Sequence, residues 1–165
     1  MKNLFLLTFL ALFISIPLSS FSQRPAKAQK KFFPKELRKK GVYFGMPKVE
    51  LLRAFSDAKA NDGFINFRKV YTLKPLSKRF QESQCYLDSE GYFPLYEFIL
   101  IIADGYSNET IARELFGPPN FNETKWLFKP ADTGLDFEIS AWTFQNKLII
   151  AGALPGTEWE EGFDN

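Results

Sequence analysis

The sequence predicts an α+β fold in which two tandem repeats, each a helix followed by antiparallel strands, share one sheet with both helices on one face. Three observations predict it. The string Gly45-Met46-Pro47-Lys48-Val49-Glu50-Leu51-Leu52-Arg53-Ala54-Phe55 is echoed, at constant offset, by Gly105-Tyr106-Ser107-Asn108-Glu109-Thr110-Ile111-Ala112-Arg113-Glu114-Leu115. Each copy puts apolar residues at helical spacing and then changes to strand-like alternation. Late in each copy the strings Leu100-Ile101-Ile102-Ala103 and Leu148-Ile149-Ile150-Ala151 nearly coincide. Hydrophobic residues at 45% and aromatics at 17% supply enough apolar surface for a packed core, which argues against global disorder.

The elements follow in order. Lys2, the apolar run Leu4 to Leu18 and the small residues Ser20 and Ser22 have the layout of a secretory signal. Cleavage is expected between Ser22 and Gln23, because the run is shorter than the ~20 apolar residues needed to cross a bilayer. Residues 23–40 read as a basic linker arm. In the first repeat, about 41–104, Pro47 suits the opening turn of a helix. Leu51, Leu52 and Phe55 form the apolar face of that helix. Phe64 to Leu73, Gln84 to Asp88 and Tyr92 to Ala103 read as strands, with a turn at Ser89-Glu90-Gly91.

In the second repeat, about 105–155, Ser107 is the natural N-cap and Glu109 places negative charge at the positive helix end. Ile111, Ala112 and Leu115 face the core, and Gly117-Pro118-Pro119 stops the helix. Lys125 to Phe128, Phe137 to Phe144 and Lys147 to Ala151 are the strands, the last two joined by a tight Gln145-Asn146 turn. Residues 156–165 read as an acidic tail. One copy alone is too small to bury much core, whereas two can share a continuous sheet. The face away from the helices is then expected to be partly open. Tyr71, Trp126, Trp142 and Phe144 are the aromatics expected to grip a partner there.

Charge is unevenly spread. The formal total is +2, yet residues 24–40 carry +7 and residues 41–165 carry −6. The basic stretch is expected to be either a solvated linker or an arm for an anionic surface such as lipid headgroups or lipopolysaccharide. Nucleic acid is not expected, since the body is acidic. Cys85 is the lone cysteine, so no disulfide can form within the chain, and a buried thiol is expected.

Little catalytic chemistry is available. The chain has no His, which excludes Ser-His-Asp, Cys-His and His-based zinc sites. Neither phosphate-binding glycine motif is present. No cofactor is expected. Asp132-Thr133-Gly134 echoes an aspartic-protease triplet, but a second triplet is absent and the segment reads as a turn. Glu97 and Glu138, both on expected strands, are the carboxylates that a glycoside hydrolase would need.

The pattern Gly105-x-Ser107-x-x-x-Ile111-x-x-x-Leu115-x-Gly117-x-Pro119, followed by Trp126-x-Phe128, resembles the small outer-membrane assembly lipoproteins of the SmpA/OmlA (BamE) type. Gly45-Met46-Pro47-Lys48 resembles the same opening, without the Gly-x-Pro stop after Phe55. The tandem arrangement is similar to that of the beta-lactamase-inhibitor proteins. The resemblance covers most of residues 41–155. It implies an exported, non-enzymatic protein, periplasmic or secreted, that binds other proteins through its sheet face and loops as an inhibitor, adaptor or envelope assembly accessory. The acylated Cys of the lipoproteins is missing, so permanent outer-membrane anchoring is not expected. The alternative is a carboxylate-dependent hydrolase of envelope polysaccharide.

Overall fold

The structure, a computed structural model, describes residues 26–61 and 68–163. The expected signal at 1–22 lies outside the described residues, as does the first part of the strand expected from Phe64. Among the described residues, one seven-stranded antiparallel sheet organises the chain in the order β1-β2-β3-β4-β7-β6-β5. The strands are β1 (Lys59–Asn61), β2 (Arg68–Leu73), β3 (Phe80–Asp88), β4 (Leu95–Ile102), β5 (Lys125–Phe128), β6 (Ile139–Phe144) and β7 (Lys147–Gly152). A helical turn at 26–29 runs into a short 3-10 helix, Lys30–Phe32, and is followed by the helices α1 (Lys35–Lys39), α2 (Lys48–Ala54), α3 (Asn108–Phe116) and the single turn α4 (Pro130–Thr133).

The order of strands displays the duplication. The meanders β2-β3-β4 and β5-β6-β7 each follow a helix, and their last strands pair with one another, Leu100 opposite Leu148 and Ile99 opposite Ile149. Gly45 and Gly105, which lead into α2 and α3, have φ of 86° and 83°, a left-handed conformation that a side chain would strain. Ser107 caps α3, its Oγ accepting from Thr110 N–H at 3.2 Å, and Gly117 ends it at φ 78°. The first copy departs by adding β1 at its outer edge and by ending α2 at Phe55 without a glycine.

One face of the sheet carries the main core. Leu148 and Ile150 from β7, Phe98 and Leu100 from β4, and Ala141 from β6 are all fully buried there, beneath Leu51 of α2 and Ile111 and Ala112 of α3. Two segments read from the sequence as solvated are part of the packing. Residues 26–40 are not a linker: Phe32, Phe33 and Leu37 are at most 1% exposed. Phe33 wedges between Phe44 and Phe98, with ring centroids 4.9 and 5.9 Å away, and Phe32 lies 4.9 Å from Phe128. Gln29 fixes the segment with its side-chain amide, accepting from Phe44 N–H at 2.7 Å and donating to Phe44 C=O at 3.2 Å. The basic residues occupy the outward side of this segment, from Lys27 to Lys40. Their charge hides an apolar stripe in the same residues.

The acidic tail is likewise folded. Residues 154–163 run back across the opposite face of the sheet, where Trp159 is half-buried and Phe163 is 4% exposed. Aromatic burial holds this segment down while its glutamates point to solvent. Two strand limits also move. The Gly91 and Phe93 left-handed turn, φ 59° and 55°, delays β4 to Leu95. β3 starts earlier than expected, at Phe80, closing on β4 through Ile102.

Candidate functional site

Strand register sorts the residues of the face opposite the helices into rows. Glu82, Ile101, Lys147 and Phe144 lie abreast across β3, β4, β7 and β6. The next row is Thr72, Gln84, Ile99, Ile149, Trp142 and Lys125, followed by Val70, Tyr86, Glu97, Ala151, Ser140 and Leu127. A bulge then intervenes: Tyr86 pairs with Glu97 but Leu87 pairs with Leu95, leaving Tyr96 as the extra residue. Bulges of this type re-aim a side chain, and Tyr96 here joins Arg68, Thr157 and Glu158 around a cleft of about 370 Å³.

The tail divides this face in two. Trp159 packs on Trp142 and Phe163, with centroids 5.6 and 5.3 Å away, and its indole N–H donates to Glu97 Oε2 at 2.9 Å. Arg68 pairs with Glu158 at 2.9 Å, Lys125 Nζ donates to Phe163 C=O at 2.6 Å, and Glu138 Oε2 accepts from Phe163 N–H at 3.3 Å. The row containing Glu97 and Leu127 is therefore covered, and Trp142 in the row before it is packed by Trp159. The first row, with Phe144 58% exposed and Ile101 half-buried, is not covered. A polar ladder borders it on β3, where Tyr86 O–H donates to Gln84 and Gln84 donates to Glu82.

The four expected aromatics do not share one face, which corrects the sequence reading. Tyr71 pairs with Cys85 and points into the main core at 7% exposure. Trp126 is 1% exposed under α3, its indole N–H donating to Gly117 C=O at 3.0 Å. Trp142 and Phe144 do lie on the face away from the helices, Trp142 at the edge of the tail and Phe144 beyond it. The parity of each strand decides this: Trp126 and Leu127 are adjacent, so one must point inward, and the helix side has the deeper space for the larger ring.

Glu97 is the most perturbed carboxylate of the site. It is 4% exposed, and burial pushes it up from 4.5 to about 7. The Trp159 N–H bond opposes that rise, neighbouring Glu158 adds to it, and Arg68 works against it. Burial also raises the Tyr86 and Tyr96 hydroxyls beside it. Glu138, expected on a strand, instead precedes β6 and holds the tail backbone. Both carboxylates are thus engaged in fastening the tail.

Trp159, Phe163, Arg68 and Tyr96 were absent from the sequence-based selection of site residues. For the first two a signal existed, since two large aromatics in an otherwise acidic segment need somewhere to be buried. Among the described residues, no group of three or more His, Cys, Asp or Glu is placed to hold a metal ion, and no helix is long and apolar enough to cross a membrane.

No protein-family model matches this chain, and no curated protein does. Among solved structures, it is similar to the crystal structure of YjgB, a DUF4309 family protein from Bacillus subtilis, at 12% identity and a TM-score of 0.45. That likeness covers 81% of this chain and 97% of the other. It is too distant to carry an inference about function.

Proposed function

We propose that this is an exported, non-enzymatic protein-binding module that engages a partner protein with the uncovered part of its sheet face. The observation that carries the reading is the row Ile101, Lys147 and Phe144. There Phe144 is exposed and Ile101 and Lys147 are half-buried, outside the part of the sheet face that the chain's own tail covers. Phe144 is the anchor, Ile101 and, in the next row, Ile99 add apolar surface, and Lys147 between Phe144 and Ile101 with Glu82 beyond Ile101 supply charges of both signs. Trp142 adjoins it. This refines the expected site from four aromatics to two. The module resembles the SmpA/OmlA (BamE) and beta-lactamase-inhibitor type in its helix-then-meander repeats, and the same role of inhibitor, adaptor or assembly accessory is proposed for it.

A photo-crosslinking residue at position 144 tests the reading in an envelope or secreted fraction of the source cells. A single dominant adduct is expected, and it should vanish when Ile101→Lys is added. Equal adducts from a crosslinker placed at Tyr92, another exposed ring, would refute a specific surface. The hydrolase alternative has one supporting observation, a carboxyl held near neutrality at Glu97. It draws less support because Glu97 lies beneath Trp159. Unchanged binding together with lost glycan cleavage in Glu97→Gln would favour it.

We also propose an anionic surface as a second contact. Lys27, Lys30, Lys31, Lys35, Arg38, Lys39 and Lys40 are all exposed on a folded segment, giving a fixed basic patch on the helix side. Binding to vesicles with anionic lipid that falls steeply with salt is expected. Binding independent of salt would remove the proposal.

A further inference from the structure

We propose that the pocket between the start of β5, β6 and the folded tail binds an uncharged sugar ring. The pocket holds about 330 Å³, at the small end of the range for ligand sites. Trp142, Trp159 and Phe163 form its walls, and Asn122, Thr124 and Lys125 its rim. The wall rings are inclined to one another, 73° between the two indoles and 33° between Trp159 and Phe163, so they make a concave aromatic corner and not a flat stack.

Chemistry selects the ligand class. The negative face of an aromatic ring attracts weakly positive C–H groups, and one side of a pyranose presents several together. The rim supplies an amide, a hydroxyl and an ammonium, the donors and acceptors that sugar hydroxyls require. Lys125 spends one of its three donors on Phe163 C=O at 2.6 Å and keeps others. Its charge also decides between ligands. An aromatic cage for a quaternary ammonium would have a cation in its own rim, which repels the ligand. A polyanion would approach segments that carry the exposed Glu123, Glu160 and Glu161 close in sequence to the lining residues. A neutral, hydroxylated ring is what remains. Phe121, 44% exposed on the other side of Lys125 with its ring 4.8 Å from Nζ, extends the aromatic surface outward. A second linked ring would rest there, so a disaccharide should bind more tightly than a monosaccharide.

The pocket shares Trp142 with the proposed protein-binding surface, whereas Phe144 and Ile101 lie outside its lining, so variants at those two positions separate the failure of one reading from the failure of the other. The test is calorimetric titration of the whole chain with neutral glucose, mannose and N-acetylglucosamine oligomers. Controls are an oligogalacturonate, tetramethylammonium and a proline-rich peptide. Saturable binding of at least one neutral oligomer is expected, weakened about tenfold or more in Trp142→Ala and unchanged in Phe144→Ala. Asn122→Ala, on the loop before β5, is a second variant that leaves the sheet core untouched and should weaken binding severalfold. The proposal is overturned if no neutral oligomer binds at millimolar concentration, if a control ligand binds in its place, or if both pocket variants bind like the parent.

Discussion

Replacing Glu97 by Gln should remove a pH-dependent weakness from the fold. Glu97 sits on β4 at 4% exposure, under Trp159 and beside Glu158, Arg68, Tyr86 and Tyr96. Its carboxyl is held at about 7 in the folded chain against an ordinary 4.5. For an acid raised on folding, the stability associated with the neutral form is fully present below about 4.5. It is lost progressively as pH rises through about 7. At 1.36 kcal/mol per pH unit the whole loss is about 3 kcal/mol. Gln is isosteric, stays neutral, and its side-chain oxygen can still accept from the Trp159 indole. The assay is urea unfolding of parent and Glu97→Gln between pH 4.5 and 8.5. Every other titrating group is common to both chains and cancels in the difference. The two should be nearly equal at pH 4.5, with the variant more stable by about 3 kcal/mol at pH 8.5. Adding Glu158→Gln to the parent should move the step to lower pH, because it removes one of the causes of the rise. A difference that stays flat across this range would refute the reasoning.

Three further outcomes are expected. Phe33→Ala should destabilise the chain by about 3–5 kcal/mol in urea unfolding, because it empties the gap between Phe44 and Phe98; a change below about 1 kcal/mol would return residues 26–40 to the status of a linker. Gly152→Ala should cost about 1–3 kcal/mol by overpacking, since a Cβ there would meet Phe44 Cγ at 3.0 Å and Phe137 Cε2 at 3.1 Å. Cys85 is fully buried with its thiol pushed up to about 12 by burial, so it should react with thiol reagents only as fast as the fold opens, and labelling at the rate of a free peptide thiol would contradict this.

Local signals wrote the helix-and-strand order plainly. Ser107, Gly117 and the apolar spacing of Ile111 and Ala112 define α3 without help from tertiary structure, and Gly45 with Gly105 marks the repeat. What stayed hidden depended on which side of the sheet a residue faces. β2, β4, β5 and β7 have apolar side chains on both faces, so alternation carries no directional signal there. Tyr71 and Trp126 were assigned to the wrong side for that reason. Trp142 and Phe144, two apart on β6, were placed together correctly because parity within one strand is reliable. The end segments were misread for a different cause. Net charge describes the outer surface of a segment, while Phe32, Phe33, Leu37, Trp159 and Phe163 determine where it packs, and a count of lysines or glutamates averages the two away.

The folded ends have a consequence for the time order of folding. Phe32, near the start of the described chain, leans on Phe128 in the second repeat, and Arg68 is tied to Glu158, 90 residues later. The strand pairing at the centre, β4 with β7, joins one repeat to the other. A ribosome delivers residues one after another, so the first repeat emerges before the second-repeat surfaces that Phe32 and β4 pack against. Until β7 appears, Phe98 lacks its cross-strand neighbour Ile150, and until the tail appears Glu97 on the other face lacks Trp159. A cut near either end should therefore loosen contacts in both repeats and not merely fray the terminus.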